Sequence, residues 1–211
     1  MTTLPDQMID RWATRAELEP GQGTVYWHML MNDHPQVVSL AAEAQQRLSR
    51  FPGLHMTLLE RLHMTAMLAG PSRNFSDDQL DQMIKAAANL LSRTPPIAVR
   101  LGQILYHPEA IMLAVKPARA LTPVRDAVQA ATQLVTSKSP DAGTSRWTPH
   151  VTISYSTSAK AAEPIITALG PQLPGCEIKV SAVSLVIQHG PERRWDWQTI
   201  GTVHLPASTS T

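Results

Sequence analysis

The residues best suited to chemistry in this sequence are two tripeptides, His63-Met64-Thr65 and His150-Val151-Thr152. Each lies in a short run that reads as a β-strand, residues 62–68 and 150–155. On a strand, positions i and i+2 face the same side. Each run therefore presents an imidazole beside a hydroxyl, and two facing strands would bring two of each into a small volume. That set suits phosphoester chemistry. Threonine hydroxyls donate to nonbridging oxygens, a neutral imidazole takes a proton from the nucleophile, and an imidazolium hands one to the leaving oxygen. The free imidazole pKa of about 6.5 allows both roles near neutrality. No metal is needed and none is expected: each strand offers one ring nitrogen, no carboxylate recurs beside the tripeptides, and the single cysteine, Cys176, forms no thiolate cage.

A third tripeptide, His55-Met56-Thr57, makes the pattern alone a weak signal. Its weight comes from the elements that must hold it, which repeat. Residues 24–31 read as a strand. Pro35 then opens a helix with Val37, Ala41, Ala44 and Leu48 on one face, ended by Pro52-Gly53. The 62–68 strand closes at Gly70-Pro71. Ser76 and Gln79 form a capping box, with Phe75 and Leu80 placed as a hydrophobic staple. That helix buries Leu80, Met83, Ile84, Ala87 and Leu91, and Pro95-Pro96 stops it. Strands at 97–105 and 110–115 are joined by Tyr106-His107-Pro108-Glu109. The order then recurs. Thr122 caps a helix with Pro123 at its first position and a stripe of Val124, Val128, Ala131 and Val135. A strand follows at 150–155, a helix between 158 and 169, and strands at 177–188 and 195–205 around His189-Gly190-Pro191-Glu192. Pro35 and Pro123 are 88 residues apart, and His63 and His150 are 87 apart. This period predicts an α+β fold, a two-lobed duplicated α/β unit with pseudo-twofold symmetry and a ligand groove between the lobes.

Length and composition bound the rest. The chain has 211 residues, 43% hydrophobic, and can bury a core as one domain or two small lobes. Charged residues are 17% and the net charge is +1, so no basic field exists to grip duplex DNA. No apolar signal-peptide region opens the chain, and the longest apolar run, 110–115, is far short of a membrane span. A soluble, cytoplasmic monomer with no membrane partner is expected. No glycine-rich loop fits a nucleotide-cofactor pattern, and no cofactor is expected. The organisation read from the chain is an N-terminal extension over 1–23, a single bilobal domain over 24–205 with motif-bearing units at about 35–116 and 122–205, and a flexible tail over 206–211.

The motifs in context resemble the 2H phosphoesterase superfamily, which includes the bacterial 2′-5′ RNA ligase-like proteins and the cyclic nucleotide phosphodiesterases. The resemblance is carried by Leu62-His-Met-Thr-Ala-Met67, by Trp147-Thr-Pro-His-Val-Thr-Ile-Ser-Tyr155 and by the closing Trp195-Asp-Trp-Gln-Thr-Ile-Gly-Thr-Val-His-Leu205. It covers residues 24–205. It implies antiparallel-rich sheets lining a central cleft, with His63, Thr65, His150 and Thr152 as the catalytic and phosphate-holding residues. It implies a metal-independent enzyme that opens 2′,3′-cyclic phosphates, or hydrolyses or forms 2′-5′ linkages, on a nucleotide or RNA-end substrate. A nucleotide- or RNA-end-binding module with degenerate catalysis, and a specialised phosphodiesterase on a cyclic dinucleotide or metabolite, are the alternatives. His63 is preferred to His55 because its strand leads directly into Gly70 and the capped helix, as in the family.

The resemblance also suggests two substrate-binding residues. Tyr155 stands where relatives place an aromatic or arginine at the substrate, although strict alternation turns it away from His150. His28 falls at a pocket-lining aromatic position, with a hydrogen-bonded core histidine as the equal alternative. Trp147 and Arg146 read as surface packing rather than cleft border. Arg193-Arg194 with Trp195 and Trp197 form either a base-stacking patch or a solvated hairpin tip with two tryptophans on one strand face. Met29, Met31, Met64 and Met67 read as core filling, and Cys176 as an inert thiol.

Overall fold

The structure, a computed structural model, describes residues 4–15, 18–19, 21–136 and 147–207. Along the chain the elements are β1 (Gln7–Met8), β2 (Gly23–Leu30), α1 (Pro35–Leu48), β3 (Leu54–Met56), β4 (His63–Pro71), α2 (Asp77–Leu91), β5 (Ile97–His107), β6 (Ala110–Lys116), α3 (Thr122–Thr136), β7 (His150–Ser156), β8 (Lys160–Ala161), α4 (Glu163–Leu169), β9 (Gln172–Val180), β10 (Ala182–His189) and β11 (Trp197–His204). Among the described residues, no helix is long and apolar enough to cross a membrane.

Local chemistry explains the helix ends. Ser76 Oγ accepts from the Gln79 backbone N–H and Gln79 Oε1 accepts from the Ser76 N–H, so two otherwise orphaned donors are satisfied at the start of α2. Asp77 and Asp78 then sit in the first turn, where negative charge suits the helix dipole. The buried stripe of α2 is Leu80, Met83, Ala87 and Leu91; Ile84 is half-buried and packs over Gly201, where a side chain would collide with it. Thr122 is the first residue of α3 rather than its cap. The expected strand at 177–188 is in fact two, β9 and β10, broken at Ser181. The chain changes sheets there, which strand propensity alone cannot report. The expected strand at 195–205 begins at Trp197, because a 3-10 turn at Glu192–Arg194 and a left-handed Trp195 (φ 47°) precede it.

A four-stranded sheet has the order β11-β10-β2-β4 and a five-stranded sheet the order β3-β7-β6-β5-β9, with β1-β8 as a separate pair. Every pairing is antiparallel. Helices α2 and α3 pack together, α2 against β11 and α3 against β4; α1 contacts β7, β9 and α4 on the other sheet. The fold is thus a two-layered α+β pair of lobes, as the repeat predicts. The lobes are not the two sequence units, however. The hairpin β5–β6 lies in the sheet of His150, and the hairpin β10–β11 lies in the sheet of His63. Helices α1 and α3 are exchanged in the same sense. One continuous apolar core follows, running from Val25, Met64 and Leu185 to Leu113, Val151 and Ile153. Met29, Met31 and Met64 are fully buried in it.

The first residues are integrated too. β1 pairs with β8, and Trp12 is buried with Ala110, Tyr155 and Trp195 in a second cluster.

Candidate active site

The two motif strands, β4 and β7, touch one another, and His63, Thr65, His150 and Thr152 line one cleft of about 1080 Å³. Each strand has the same irregularity. In β4, Thr65 pairs with His28 and Met67 with Trp27, so Ala66 is an extra residue; in β7, Thr152 pairs with Met112 and Ser154 with Ile111, so Ile153 is extra. A one-residue bulge reverses the side on which later residues fall. Tyr155 therefore joins His150 and Thr152 in the cleft, against the expectation from strict alternation.

Both imidazoles are held the same way. His63 Nδ1 lies 2.8 Å from the Arg61 carbonyl and His150 Nδ1 lies 2.8 Å from the Thr148 carbonyl. A carbonyl oxygen can only accept, so Nδ1 carries the hydrogen in each ring. The neutral ring then keeps its lone pair on Nε2. One ring can receive a proton at Nε2 and the other, once protonated there, can return one.

Their surroundings differ. His63 is 7% exposed. Burial pushes its pKa down to about 4; the Arg61 carbonyl and Glu192 oppose this, and His150 adds to it. His150 is more open, and its pKa is lowered chiefly by burial, against the Thr148 carbonyl, with Arg11 and His107 lowering it further. His63 is also boxed by rings: Trp195 at 4.5 Å, Trp197 at 5.2 Å, and His28 stacked at 4.1 Å with 19° between planes. His28 is fully buried and neither ring nitrogen has a hydrogen-bond partner among the described residues. Burial holds it well below its ordinary pKa, so it is neutral. His28 therefore does not line the cleft, where the family pattern would put it. Its ring stacks on that of His63 and is packed among Tyr26, Trp195 and Trp197.

His55 is on β3, paired with Tyr155; its Nε2 meets the Arg193 carbonyl at 2.7 Å and its ring sits edge-on to Trp12. It is not among the cleft-lining residues, so His63 and not His55 faces His150. Trp147, expected at the surface, borders the cleft and donates from Nε1 to the Thr65 carbonyl at 3.1 Å. Arg146 lies outside the described residues. Trp195 and Trp197 do not share a strand face. Trp195 precedes β11, lines the cleft and donates from Nε1 to the Tyr155 hydroxyl at 3.1 Å. Burial pushes the Tyr155 phenol up to about 12, so it stays neutral.

Sequence reasoning missed the N-terminal contribution. Arg11 forks onto Glu192 (Nε and Nη2, 3.0 and 2.6 Å), donates from Nη1 to Glu109 at 3.1 Å, and lies 4.6 Å above the Tyr155 ring. Glu109 is at the tip of the β5–β6 hairpin and Glu192 follows β10, so Arg11 ties one tip from each sheet. The signal was present: the two connections, Tyr106-His107-Pro108-Glu109 and His189-Gly190-Pro191-Glu192, end in matching glutamates.

The sequence profile described as the 2′-5′ RNA ligase superfamily matches residues 34–192. Solved structures share the fold. The protein TT0787 of Thermus thermophilus aligns with a TM-score of 0.65 at 14% identity, covering 88% of this chain and 99% of that one. E. coli LigT complexed with 3′-AMP aligns with a TM-score of 0.62 at 13% identity, covering 87% and 98%. A protein described only as a phosphoesterase aligns with a TM-score of 0.66 at 14% identity, covering 89% and 99%. No curated protein matches the sequence.

Proposed function

Because this chain belongs to the 2′-5′ RNA ligase superfamily, with the fold of the LigT-like phosphoesterases, we propose that it is a metal-independent phosphoesterase acting on a nucleotide or RNA-end phosphodiester. The reaction is opening of a 2′,3′-cyclic phosphate, or hydrolysis or formation of a 2′-5′ linkage. One observation carries the reading: two imidazoles line a single cleft, each pinned through Nδ1 to a carbonyl and each left with Nε2 for proton transfer.

The difference in surroundings supports one distribution of the roles. His63, buried against neutral His28, keeps its lone pair at neutral pH and takes the proton of water or a ribose hydroxyl. His150 is more open to solvent and holds a proton more readily, above all beside a phosphate anion. It protonates the leaving oxygen, and the roles exchange in the reverse direction. Thr65 and Thr152 donate to the nonbridging oxygens and stabilise the charge that builds on them. Trp147, Tyr155 and Trp195 offer aromatic surface to a base or ribose. The E. coli relative was crystallised with 3′-AMP and with ATP, which supports a nucleotide-sized ligand.

The test is turnover of 2′,3′-cyclic nucleotides, 2′-5′ dinucleotides and cyclic dinucleotides in the presence of EDTA, with product regiochemistry read out. Chelator-insensitive turnover with a bell-shaped pH profile is expected. Tight nucleotide binding without turnover of any of them would overturn the reading in favour of a binding module.

A further inference from the structure

Residues 4–15 lie outside the stretch matched by the family profile, yet they build part of the cleft. The segment is fastened there. Ile9 N–H donates to the Pro108 carbonyl at 2.8 Å and Arg11 N–H to the Ser156 carbonyl at 3.0 Å. Arg11 commits Nε and both terminal nitrogens to Glu192 and Glu109, so it holds the hairpin tips together and has little left for a ligand. Arg15 differs. It also lines the cleft, its side chain is 44% exposed, and its described bond is from Nη2 to Glu109 Oε2 at 2.7 Å, an oxygen that already accepts from Arg11. Arg15 is thus a cleft cation oriented by a shared carboxylate, with further N–H donors available.

A guanidinium presents its donors in a planar fork that matches phosphate oxygens. The cleft volume of about 1080 Å³ exceeds what the reacting phosphodiester and one nucleoside need. We propose that Arg15 binds a second phosphate of the substrate, distinct from the phosphodiester between His63 and His150, so that the cleft selects nucleotides or RNA ends that carry a further phosphate. The identity of the reacting group rests on the functional reading above; the position of the second anion rests on Arg15. Glu109 competes with that phosphate for Arg15, which gives the two residues opposite effects.

The experiment compares a 2′,3′-cyclic nucleotide with its 5′-phosphorylated form on the full-length protein, its Arg15→Ala variant and its Glu109→Gln variant. The wild type should favour the phosphorylated substrate by about tenfold or more in kcat/KM, as expected for a hydrogen bond to a charged group. Arg15→Ala should bring that ratio close to one, and Glu109→Gln should raise it. A wild-type ratio of one, a ratio unchanged in Arg15→Ala, or a ratio lowered by both variants overturns the proposal. If the wild type turns over neither substrate, the cyclic-phosphate form of the functional reading fails. Binding of adenosine 3′,5′-bisphosphate against adenosine 3′-monophosphate then decides the Arg15 site: a preference lost in Arg15→Ala upholds it, and a preference equal in both proteins overturns it.

Discussion

β4 and β7 carry the same histidine-to-threonine spacing, the same Nδ1-to-carbonyl bond and the same bulge after the threonine, yet they sit in different company. The place beside β4 is filled by β2, which sets His28 opposite Thr65; the place beside β7 is filled by β6, which sets Met112 opposite Thr152. His63 is consequently packed among an imidazole and two indoles, while His150 lies nearer to solvent and to Arg11. The repeated unit supplies two equivalent candidate proton carriers. Unequal neighbours bury His63 more deeply than His150 and keep its lone pair free to lower pH. On the proposed mechanism His63 is the ring that accepts a proton and His150 the ring that donates one.

The sharpest way to break this comparison is to remove each imidazole. His63→Ala and His150→Ala should each lower turnover about 10²–10⁴-fold. Their residual pH profiles should differ. The wild-type kcat/KM should rise through pH about 4 as His63 loses its proton, and fall again, with a midpoint below 6.5, as His150 loses its own. His63→Ala should lose the acid limb and His150→Ala the alkaline limb; identical residual profiles would contradict the role assignment. Next in size, Thr65→Val and Thr152→Val should each cost about 10²-fold in kcat, the scale of a lost donor to a developing anion. Equal losses would mean that the threonines, unlike the histidines, remain equivalent.

A smaller change tests the neighbour directly. His28→Ala should let water reach the His63 ring, so the acid limb of kcat/KM should move up from about 4. A limb that stays in place would show that His28 does not set the behaviour of His63. The smallest effect is on stability. In the unfolded chain an imidazole binds a proton near pH 6.5, whereas His28 and His63 are held neutral to lower pH in the fold. The unfolded state therefore binds more protons as pH falls below 6.5, and stability should decrease in that direction. Tm measured at pH 7.5 and pH 5 should show the drop, and His28→Phe should lessen it.

Much of the site was legible because it is local. The tripeptides, their strands and the capping box of α2 depend on residues a few positions apart, and the structure has them where the pattern placed them. Tyr155 was legible only as a position after the motif. Its entry into the cleft depends on the bulge at Ile153, which is a property of the pairing with β6 and not of β7 alone. His28 was legible as a residue of interest but not as a buried support, because its burial comes from β4, Trp195 and Trp197. Arg11 and Arg15 were read as part of a plain extension. Nothing near them in the chain shows that Glu109 and Glu192 lie within reach.

The sequence by itself determined the candidate proton carriers, the hydroxyls beside them and the duplicated α+β order. Those follow from residue type, strand periodicity and helix caps, all short-range effects. The tertiary structure decided which half each hairpin joins, which strand lies beside each motif, and which arginines close the cleft. Those choices depend on antiparallel pairing and core burial between residues far apart in the chain. Two near-identical motifs become chemically distinct at that level, because the pKa of an imidazole is set by what surrounds it.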